Sequence, residues 1–256
     1  MTQTATVLDF NSSRANRLAQ SERLNEILAA ELQRKHSLQA RREYLGASAL
    51  GNECDRSIQF EFAGAPRERQ FSPETLRKIA FGHLTEAWAY HEFIDAGFHL
   101  TNRNAQGQPY GFVQLDGAFK GHPDGVFLYG PEVPGVGYPC LWEHKGTGSK
   151  TFNAIMREGL KKARPGYYTQ VNLYMAYLEL TEHPAIFTIT NLDSGEQGHL
   201  LIPFDADEAQ RASDRVARLV EMTRRQELSP RPFAEKTHFV CKAKCDFPQR
   251  CWSLPQ

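Results

Sequence analysis

The pattern of hydrophobic positions has a helical period at the start of the chain. Leu24, Ile27, Leu28 and Leu32 recur at the three- and four-residue spacing of one helical face. We therefore predict a long outer helix over residues 13–42, packed through this apolar stripe. A second helix is predicted from Ser72 to Asp95, because a serine followed by proline is typical of a helix start. A further helical region is expected near Ser48.

The middle of the chain has a different pattern. Short apolar segments separated by Gly and Asp turns are typical of β-strands. The predicted strands are residues 110–116, 118–122, 126–129 and 138–144. The pattern then predicts helices at 149–162 and 166–180, strands at 185–190 and 199–203 that form a hairpin, and a last helix at 205–226. This succession predicts an α/β fold with a mixed central β-sheet flanked by helices.

The 256 residues are enough for one elaborated domain with extensions. We predict an N-terminal helical extension over 1–47, a core over 48–228 and a Cys-rich C-terminal segment over 229–256. The sequence contains no internal repeat.

Composition and charge narrow the class of protein. The formal net charge is zero, which argues against a protein that coats DNA by charge alone. No apolar stretch is long enough to span a bilayer, so no membrane partner is expected. Met1–Asn11 lacks the features of a secretory signal. We therefore expect a cytoplasmic protein, or one in the host-cell cytoplasm if a phage encodes it.

Three residues combine carboxylate and amine chemistry. Asp124 lies at a predicted turn, and Glu143 and Lys145 lie on the apolar strand that follows. Because alternate residues of a strand share a face, Glu143 and Lys145 point the same way while His144 points away. Two carboxylates suit Mg²⁺ or Mn²⁺, and a neighbouring lysine can hold a phosphate oxygen or, with a lowered pKa, help to deprotonate water. This set has what phosphodiester hydrolysis requires.

Four ordered elements resemble the PD-(D/E)xK nuclease superfamily. Two are the turn Asp124 and the Glu143-His144-Lys145 strand. Upstream, the segment Phe81-Gly82-His83-Leu84-Thr85-Glu86 resembles the Gly-x-x-x-(His/Glu) motif of the RecB-like exonuclease branch. Downstream, the segment Gln170-Val171-Asn172-Leu173-Tyr174 resembles that branch's Gln-x-x-x-Tyr motif. The likeness covers roughly residues 82–174.

The resemblance implies a role for each matching residue. Asp124, Glu143 and the main-chain carbonyl of His144 would bind the metal ion, and Lys145 would activate water or grip the scissile phosphate. Gln170 would orient Lys145 or a phosphate, and Tyr174 would line the DNA path.

The first motif departs from the family pattern at its ligand position. Glu86 stands where many relatives have a metal-binding histidine. His83 is therefore a second candidate ligand in this motif.

Three of the five cysteines lie close together near the end of the chain, as Cys241, Cys245 and Cys251. An odd number of cysteines in a chain expected to be cytosolic favours a metal site over disulfides. The two Cys-x₂-Cys pairs of a zinc ribbon are absent. A fourth thiolate would complete the site, and Cys54 is the natural donor, whereas Cys140 suits the core.

One N-terminal cysteine and three C-terminal ones around a nuclease core resemble the iron–sulfur exonucleases, namely the CRISPR-associated RecB-like nucleases and the AddB nuclease domains. This resemblance implies a [4Fe–4S] cluster that joins the two ends of the chain and mainly stabilises it, with Zn²⁺ as the alternative. The first gap here is three residues where the family usually has two.

These features predict a Mg²⁺- or Mn²⁺-dependent DNA nuclease, with exonuclease action favoured over endonuclease action. DNA recombination, repair, phage replication and CRISPR DNA processing all use such enzymes, and a homo-oligomer or a partner protein fits this class.

Two alternatives remain open. One is a DNA-binding or assembly module that keeps the fold without activity. The other is a non-haem Fe(II) oxygenase that uses His122 and Asp124 with His183 or His199.

Overall fold

A computed structural model describes residues 12–255, with the side chains described from residue 17 onward. The prediction that Met1–Asn11 is not a secretory signal lies outside these residues. The chain divides into two compact units. The first contains residues up to Arg41 together with Phe71–Ile79, and the second contains Arg42–Gln70 and Ala80 onward.

The first unit is helical. Helix α1 spans Ser12–Ser37, as the spacing of its leucines predicts. Leu24, Ile27 and Leu28 are 61%, 51% and 56% exposed, however. The expectation that this apolar stripe is packed is therefore wrong for these three residues, because at least half of the surface of each one is exposed.

The second unit contains most of the regular structure. The helices that follow α1 are α2 (Asp55–Phe62), α3 (Pro73–Asp95, which begins in the first unit), α4 (Ser149–Glu158), α5 (Leu160–Ala163), α6 (Pro165–Tyr177), α7 (Ala206–Arg224) and α8 (Pro248–Ser253). The strands are β1 (Leu45–Gly46), β2 (His99–Thr101), β3 (Phe112–Gln114), β4 (Phe119–Gly121), β5 (Gly125–Tyr129), β6 (Cys140–Thr147), β7 (Ala185–Asn191) and β8 (Gln197–Ile202).

The main sheet has five strands in the order β2-β5-β6-β7-β8. Strands β6 and β7 are parallel, and the other neighbours are antiparallel. A parallel pair needs a crossover connection, which α4, α5 and α6 supply. A smaller mixed sheet has the order β1-β4-β3. The mixed α/β architecture predicted from the sequence is confirmed.

The core lies on both faces of the central strands. All seven residues of β7 are buried, as are Cys140–His144 of β6. Strands covered on both faces have continuous apolar runs, which is why period-two alternation is weak here. One apolar cluster includes Leu141, Phe187 and Val171, and a second one includes Trp142 and Ala89.

The C-terminal segment contains short helices that its Pro- and Cys-rich sequence did not predict. Val240–Lys244 forms one π-helical turn, and α8 follows it. Within residues 12–255, no helix combines the length and the apolar composition that a bilayer crossing requires.

Asp205 caps α7. Its Oδ1 accepts a hydrogen bond from the Glu208 amide at 3.0 Å, and its Oδ2 accepts one from Lys161 Nζ at 2.7 Å. Tyr168 also donates its hydroxyl to Oδ2, at 3.0 Å. The Lys161 ammonium and the Glu208 amide hold the pKa of Asp205 at about 2. The aspartate therefore joins the crossover helices to α7.

We expect Asp205→Ala to lower the free energy of unfolding by about 1 kcal/mol at neutral pH, because the cap is lost. The folded pKa lies below the ordinary aspartate value of about 3.9. The contribution is therefore complete above that value and is lost as the pH falls toward about 2. Urea unfolding at several pH values measures it. The exposed Asp207 lies in the same first turn. Asp207→Ala should cost only about 0.3 kcal/mol, and an equal loss in both variants would contradict the capping role.

Candidate functional site

Strand β6 carries two of the predicted catalytic residues. Glu143 is 1% exposed, and its neighbour in the parallel strand β7 is Phe187. Strand alternation puts Lys145 on the same face as Glu143. Lys145 Nζ donates a hydrogen bond to Glu143 Oε1 at 2.5 Å and another to the His144 carbonyl at 2.9 Å. The side chains therefore meet as the spacing predicts.

The turn before β5 brings Asp124 to the same point. Its Oδ2 accepts a hydrogen bond from the His144 amide at 2.7 Å and lies 3.9 Å from Lys145 Nζ. The antiparallel pairing of β5 with β6 fixes this arrangement, since Gly125 is opposite Trp142. The two carboxylates and the amine are therefore assembled across two strands.

Helix α6 completes one wall of the site. Gln170 Nε2 lies 3.0 Å from Glu143 Oε1 and 3.0 Å from the hydroxyl of Tyr174, and it donates to both. Residues four apart lie on one helical face, which explains why both side chains point to β6. Both residues are buried.

Helix α3 contributes Glu86. Repulsion from Asp124 adds to partial burial in raising the pKa of Glu86, so the two carboxyl groups lie near each other. His83 Nδ1 lies 3.6 Å from Glu86 Oε2, and the His83 side chain is 77% exposed. Glu86 therefore lies near the other acidic groups, and the mostly exposed His83 lies at their edge, where it contributes to lowering the pKa of Asp124.

The site concentrates buried charge. Burial, with the nearby Asp124 carboxylate, raises the pKa of Glu143 to about 8. Burial also raises the pKa of Asp124. Burial alone would lower the pKa of Lys145, but the Glu143 and Asp124 carboxylates outweigh it and raise that pKa. Clustered carboxyl groups with raised pKa values are characteristic of functional sites, because a folded chain gains no stability from crowding them.

The side chain of His144 points to the opposite face of the sheet, as predicted. Its Nε2 lies 3.3 Å from the Thr85 hydroxyl on α3, and burial lowers its pKa to about 4. Gly146 permits the close approach of α3, because a Cβ atom there would lie 2.8 Å from Thr85 Oγ1. This contact lies one residue before Glu86 and fixes that part of α3 against β6.

The donor set fits a divalent cation. Glu143 Oε2 is buried and lacks a hydrogen-bond partner in the described chain. All the candidate side-chain donors are carboxylate oxygens, which Mg²⁺ and Mn²⁺ prefer. Among residues 12–255, no three His, Cys, Asp or Glu side chains are arranged as a complete metal-binding group. In this structure the positively charged group that lies near both the Glu143 and the Asp124 carboxylates is the ammonium group of Lys145.

The four predicted cluster cysteines lie around one cavity of about 560 Å³, which Cys54, Cys241, Cys245 and Cys251 all line. Cys140 belongs instead to the apolar cluster around Trp142. Burial raises the pKa of Cys54 to about 11, and repulsion from the other three thiols adds to it. Four thiols without a histidine are the donor chemistry of zinc or iron–sulfur sites. Among the described residues, however, no three of these cysteines form a group that could hold a metal ion in this conformation.

A buried polar network, which the sequence analysis missed, holds the C-terminal segment. Arg56 is 1% exposed and donates to the carbonyls of Ser229, at 2.7 Å, and Pro255, at 3.1 Å. Gln59 donates to the Glu227 carbonyl at 2.9 Å and accepts from the Ser229 amide at 2.7 Å. Helix α2 therefore places the last three cysteines opposite Cys54.

Tyr167 was also missed. Its ring centroid lies 5.8 Å from Lys145 Nζ. Tyr167 precedes Gln170 by three residues, so the same helical-face argument could have found it.

The histidines of the oxygenase alternative make other contacts. His122 Nδ1 lies 3.2 Å from the Tyr110 carbonyl, and His199 Nδ1 lies 3.3 Å from the Thr188 hydroxyl. Thr188 is the register partner of His144, so His199 lies on the face opposite Glu143.

Comparison with known proteins bears on the fold. No protein-family model and no curated protein matches the sequence. Among solved structures, the alkaline exonuclease of Laribacter hongkongensis is 15% identical with a TM-score of 0.51, and the match covers 78% of this chain and 93% of that one. The same exonuclease in complex with dAMP gives the same identity and TM-score over 73% and 90% of the two chains. The chain therefore shares the overall fold of this exonuclease.

We expect Arg56→Met to lower the free energy of unfolding by about 1–3 kcal/mol for each buried carbonyl it leaves without a donor, although the aliphatic stem is kept. It should also expose residues 229–255 to limited proteolysis. Arg218 pairs with Asp55 at 2.8 Å and is 56% exposed. Arg218→Met is the matched control and should cost no more than about 1 kcal/mol. Equal protease resistance in the two variants would contradict the role of Arg56.

Proposed function

We propose that this protein is a Mg²⁺- or Mn²⁺-dependent DNA nuclease, and that it acts as an exonuclease. The observation that carries the proposal is the convergence of Asp124, Glu143 and Lys145 at one buried point, with Gln170 bonded to Glu143. The likeness of the fold to an alkaline exonuclease supports the same activity. The complex of that exonuclease with dAMP supports DNA as the substrate.

Each residue has a role in this proposal. Asp124, Glu143, Glu86 and the His144 carbonyl would hold the divalent ion, with His83 as a further candidate. The bound ion would lower the pKa of a water molecule and offset charge that develops on the phosphate. A metal ion bound by the carboxylates that now pair with Lys145 would compete with its ammonium group. The ammonium would then be available to contact a phosphate oxygen.

Gln170 and Tyr174 act on Glu143 and on the substrate path. The Gln170 amide holds Glu143 Oε1, which leaves Oε2 free of hydrogen bonds in the described chain. Gln170 therefore orients the carboxylate. The Tyr174 hydroxyl accepts a second hydrogen bond from the same Gln170 Nε2 and borders the same face.

We also propose that Cys54, Cys241, Cys245 and Cys251 hold a [4Fe–4S] cluster, with Zn²⁺ as the alternative. The shared cavity and the all-thiol donor set support a metal centre. Metal binding by thiolates would join α2 to the C-terminal segment and stabilise the fold. The cytoplasmic location and a role in recombination, repair, or phage or CRISPR DNA processing stay predictions, as do an oligomer and a partner protein.

Linear DNA with Mg²⁺ or Mn²⁺ tests the nuclease activity. We expect Lys145→Ala to slow cleavage by about 10²–10³-fold, because a charge that stabilises the transition state is lost. Lys150→Ala removes an exposed lysine of α4 and should cleave at the wild-type rate. EDTA should stop all cleavage, and end-labelled linear and circular DNA separate exonuclease from endonuclease action.

Intact DNA with the wild-type protein and either metal ion would contradict the proposed activity and favour a binding module. Cleavage by Lys145→Ala at the rate of Lys150→Ala would contradict the proposed site.

The cysteine site predicts a brown protein that contains iron and acid-labile sulfide. Cys245→Ser should lose the visible absorbance and lower the melting temperature, because one of four ligands is removed. Cys140→Ala is the control and should keep the colour, since Cys140 is not part of the cavity wall. Metal analysis that finds zinc and no iron in the protein as isolated would refute the iron–sulfur assignment.

A further inference from the structure

Helix α3 has an apolar stripe on its exposed side. Phe81, Leu84 and Trp88 are 52%, 65% and 67% exposed. They are three and four residues apart, so they lie on one face of the helix. The buried Ala89 and the partly buried Phe93 lie on the other side of α3, in an apolar cluster of the core. An exposed apolar patch that contains large aromatic residues is characteristic of a protein–protein interface.

The same spacing continues toward both ends of α3, which is one uninterrupted helix. Arg77 lies four residues before Phe81, and His91 and Asp95 lie three and seven residues after Trp88. Alternating steps of three and four residues are the period of a coiled-coil seam. The seam of α3 therefore has an apolar centre, a cationic end and an anionic end.

The seam is complementary to a second copy of itself that runs in the opposite direction. Its six positions form three pairs, and the members of each pair are equally far from the midpoint of the seam. The pairs are Leu84 with Trp88, Phe81 with His91, and Arg77 with Asp95. In an antiparallel pair of identical helices, the members of each pair face each other across a two-fold axis. Apolar side chains then meet at the centre, and opposite charges meet at both ends.

The charges favour the antiparallel orientation over the parallel one. In a parallel pair each residue would face its own copy, so Arg77 would oppose Arg77 and Asp95 would oppose Asp95. Like charges that face each other are unfavourable. Asp95 is also the last residue of α3, where the negative end of the helix dipole disfavours a carboxylate. A facing arginine from a second copy would offset that cost.

Small side chains border the seam on one side. Ala80 and Ala87 are both exposed, and each lies next to the apolar positions on the helix surface. Small residues at such a border allow two helix axes to approach to about 8–10 Å, so that the seam side chains interdigitate.

The seam leaves the candidate catalytic site open. Glu86 is two residues from Leu84 and two residues from Trp88, which puts its side chain on the opposite side of α3. Two subunits joined through the seam would therefore have their carboxylate sites facing away from the two-fold axis.

We propose that two copies of this chain form a dimer through antiparallel packing of α3. Leu84 and Trp88 form the centre of the interface, and Arg77 pairs with Asp95 of the second copy at each end. Trp88 is the main anchor, because it is the largest apolar side chain of the seam. The inference goes beyond the proposed nuclease function, since it assigns a surface and a symmetry to an assembly and involves neither DNA nor a metal ion.

Sedimentation of the full chain without DNA or metal ion tests the dimer. Over about a hundredfold range of protein concentration, the mass of the wild type should rise from one subunit to two. Trp88→Ala should raise the dissociation constant of the dimer by about 10-fold or more, because the anchor is lost. At concentrations where both proteins are monomers its melting temperature should match that of the wild type, since Trp88 is mostly exposed in the subunit.

Phe239→Ala is the matched control for the loss of an exposed aromatic side chain. Phe239 is 64% exposed and belongs to the C-terminal segment instead of α3. This variant should keep the dissociation constant of the wild type.

Charge reversal tests the orientation of the two helices. Asp95→Arg should raise the dissociation constant by about 5-fold or more, because two pairs of like charges would face each other. The new cation suits the C-terminal end of α3, so a weaker dimer would not reflect a weaker helix. Adding Arg77→Asp should restore most of the affinity, since opposite charges meet again. A parallel helix pair would show neither the loss nor the recovery.

Three results would overturn the proposal. They are a mass of one subunit at every concentration, equal dissociation constants for Trp88→Ala and Phe239→Ala, and no recovery of affinity in the double charge variant. The measurement is independent of the proposed activity. A dimer that leaves DNA intact would refute the nuclease and keep the interface, whereas a monomer that cleaves DNA would do the reverse.

Discussion

The candidate site depends on the burial of one carboxylate. This carboxylate and a second acidic group both interact with the same ammonium group. Taking Glu143 out of water costs free energy unless other groups offset it. Lys145 and Gln170 do so from a strand and a crossover helix, whereas the Asp124 carboxylate at the turn adds to the cost. A site of this kind favours function over stability.

The second organising contact lies between α2 and the end of the chain. Arg56 and Gln59 satisfy main-chain groups of residues 227–229 and the carbonyl of Pro255. These bonds position the C-terminal cysteines before any metal is considered. A metal centre at the thiols would therefore add to an ordered segment, which reduces the entropy cost of forming the site.

The two candidate sites share a boundary. Tyr167 and Gln170 border both the clustered carboxylates with Lys145 and the cavity that the thiols line. Helix α6 thus has Glu143 on one side and the cavity that the thiols line on the other.

Local spacing in the sequence determined which side chains lie on the same face of a single helix or strand. It predicted that Glu143 and Lys145 share one side of a strand, and that Gln170 and Tyr174 share one side of a helix, because strand and helix periods are fixed. The order of these segments also predicted the mixed α/β fold, although element ends moved by several residues.

Only the tertiary structure decided which faces meet. It brought Arg56 to residues 173 and 199 positions away, placed Tyr167 below Lys145, and left Leu24 exposed despite its helical spacing. These relations depend on packing between elements that are distant in sequence. No local period encodes a distance of that kind.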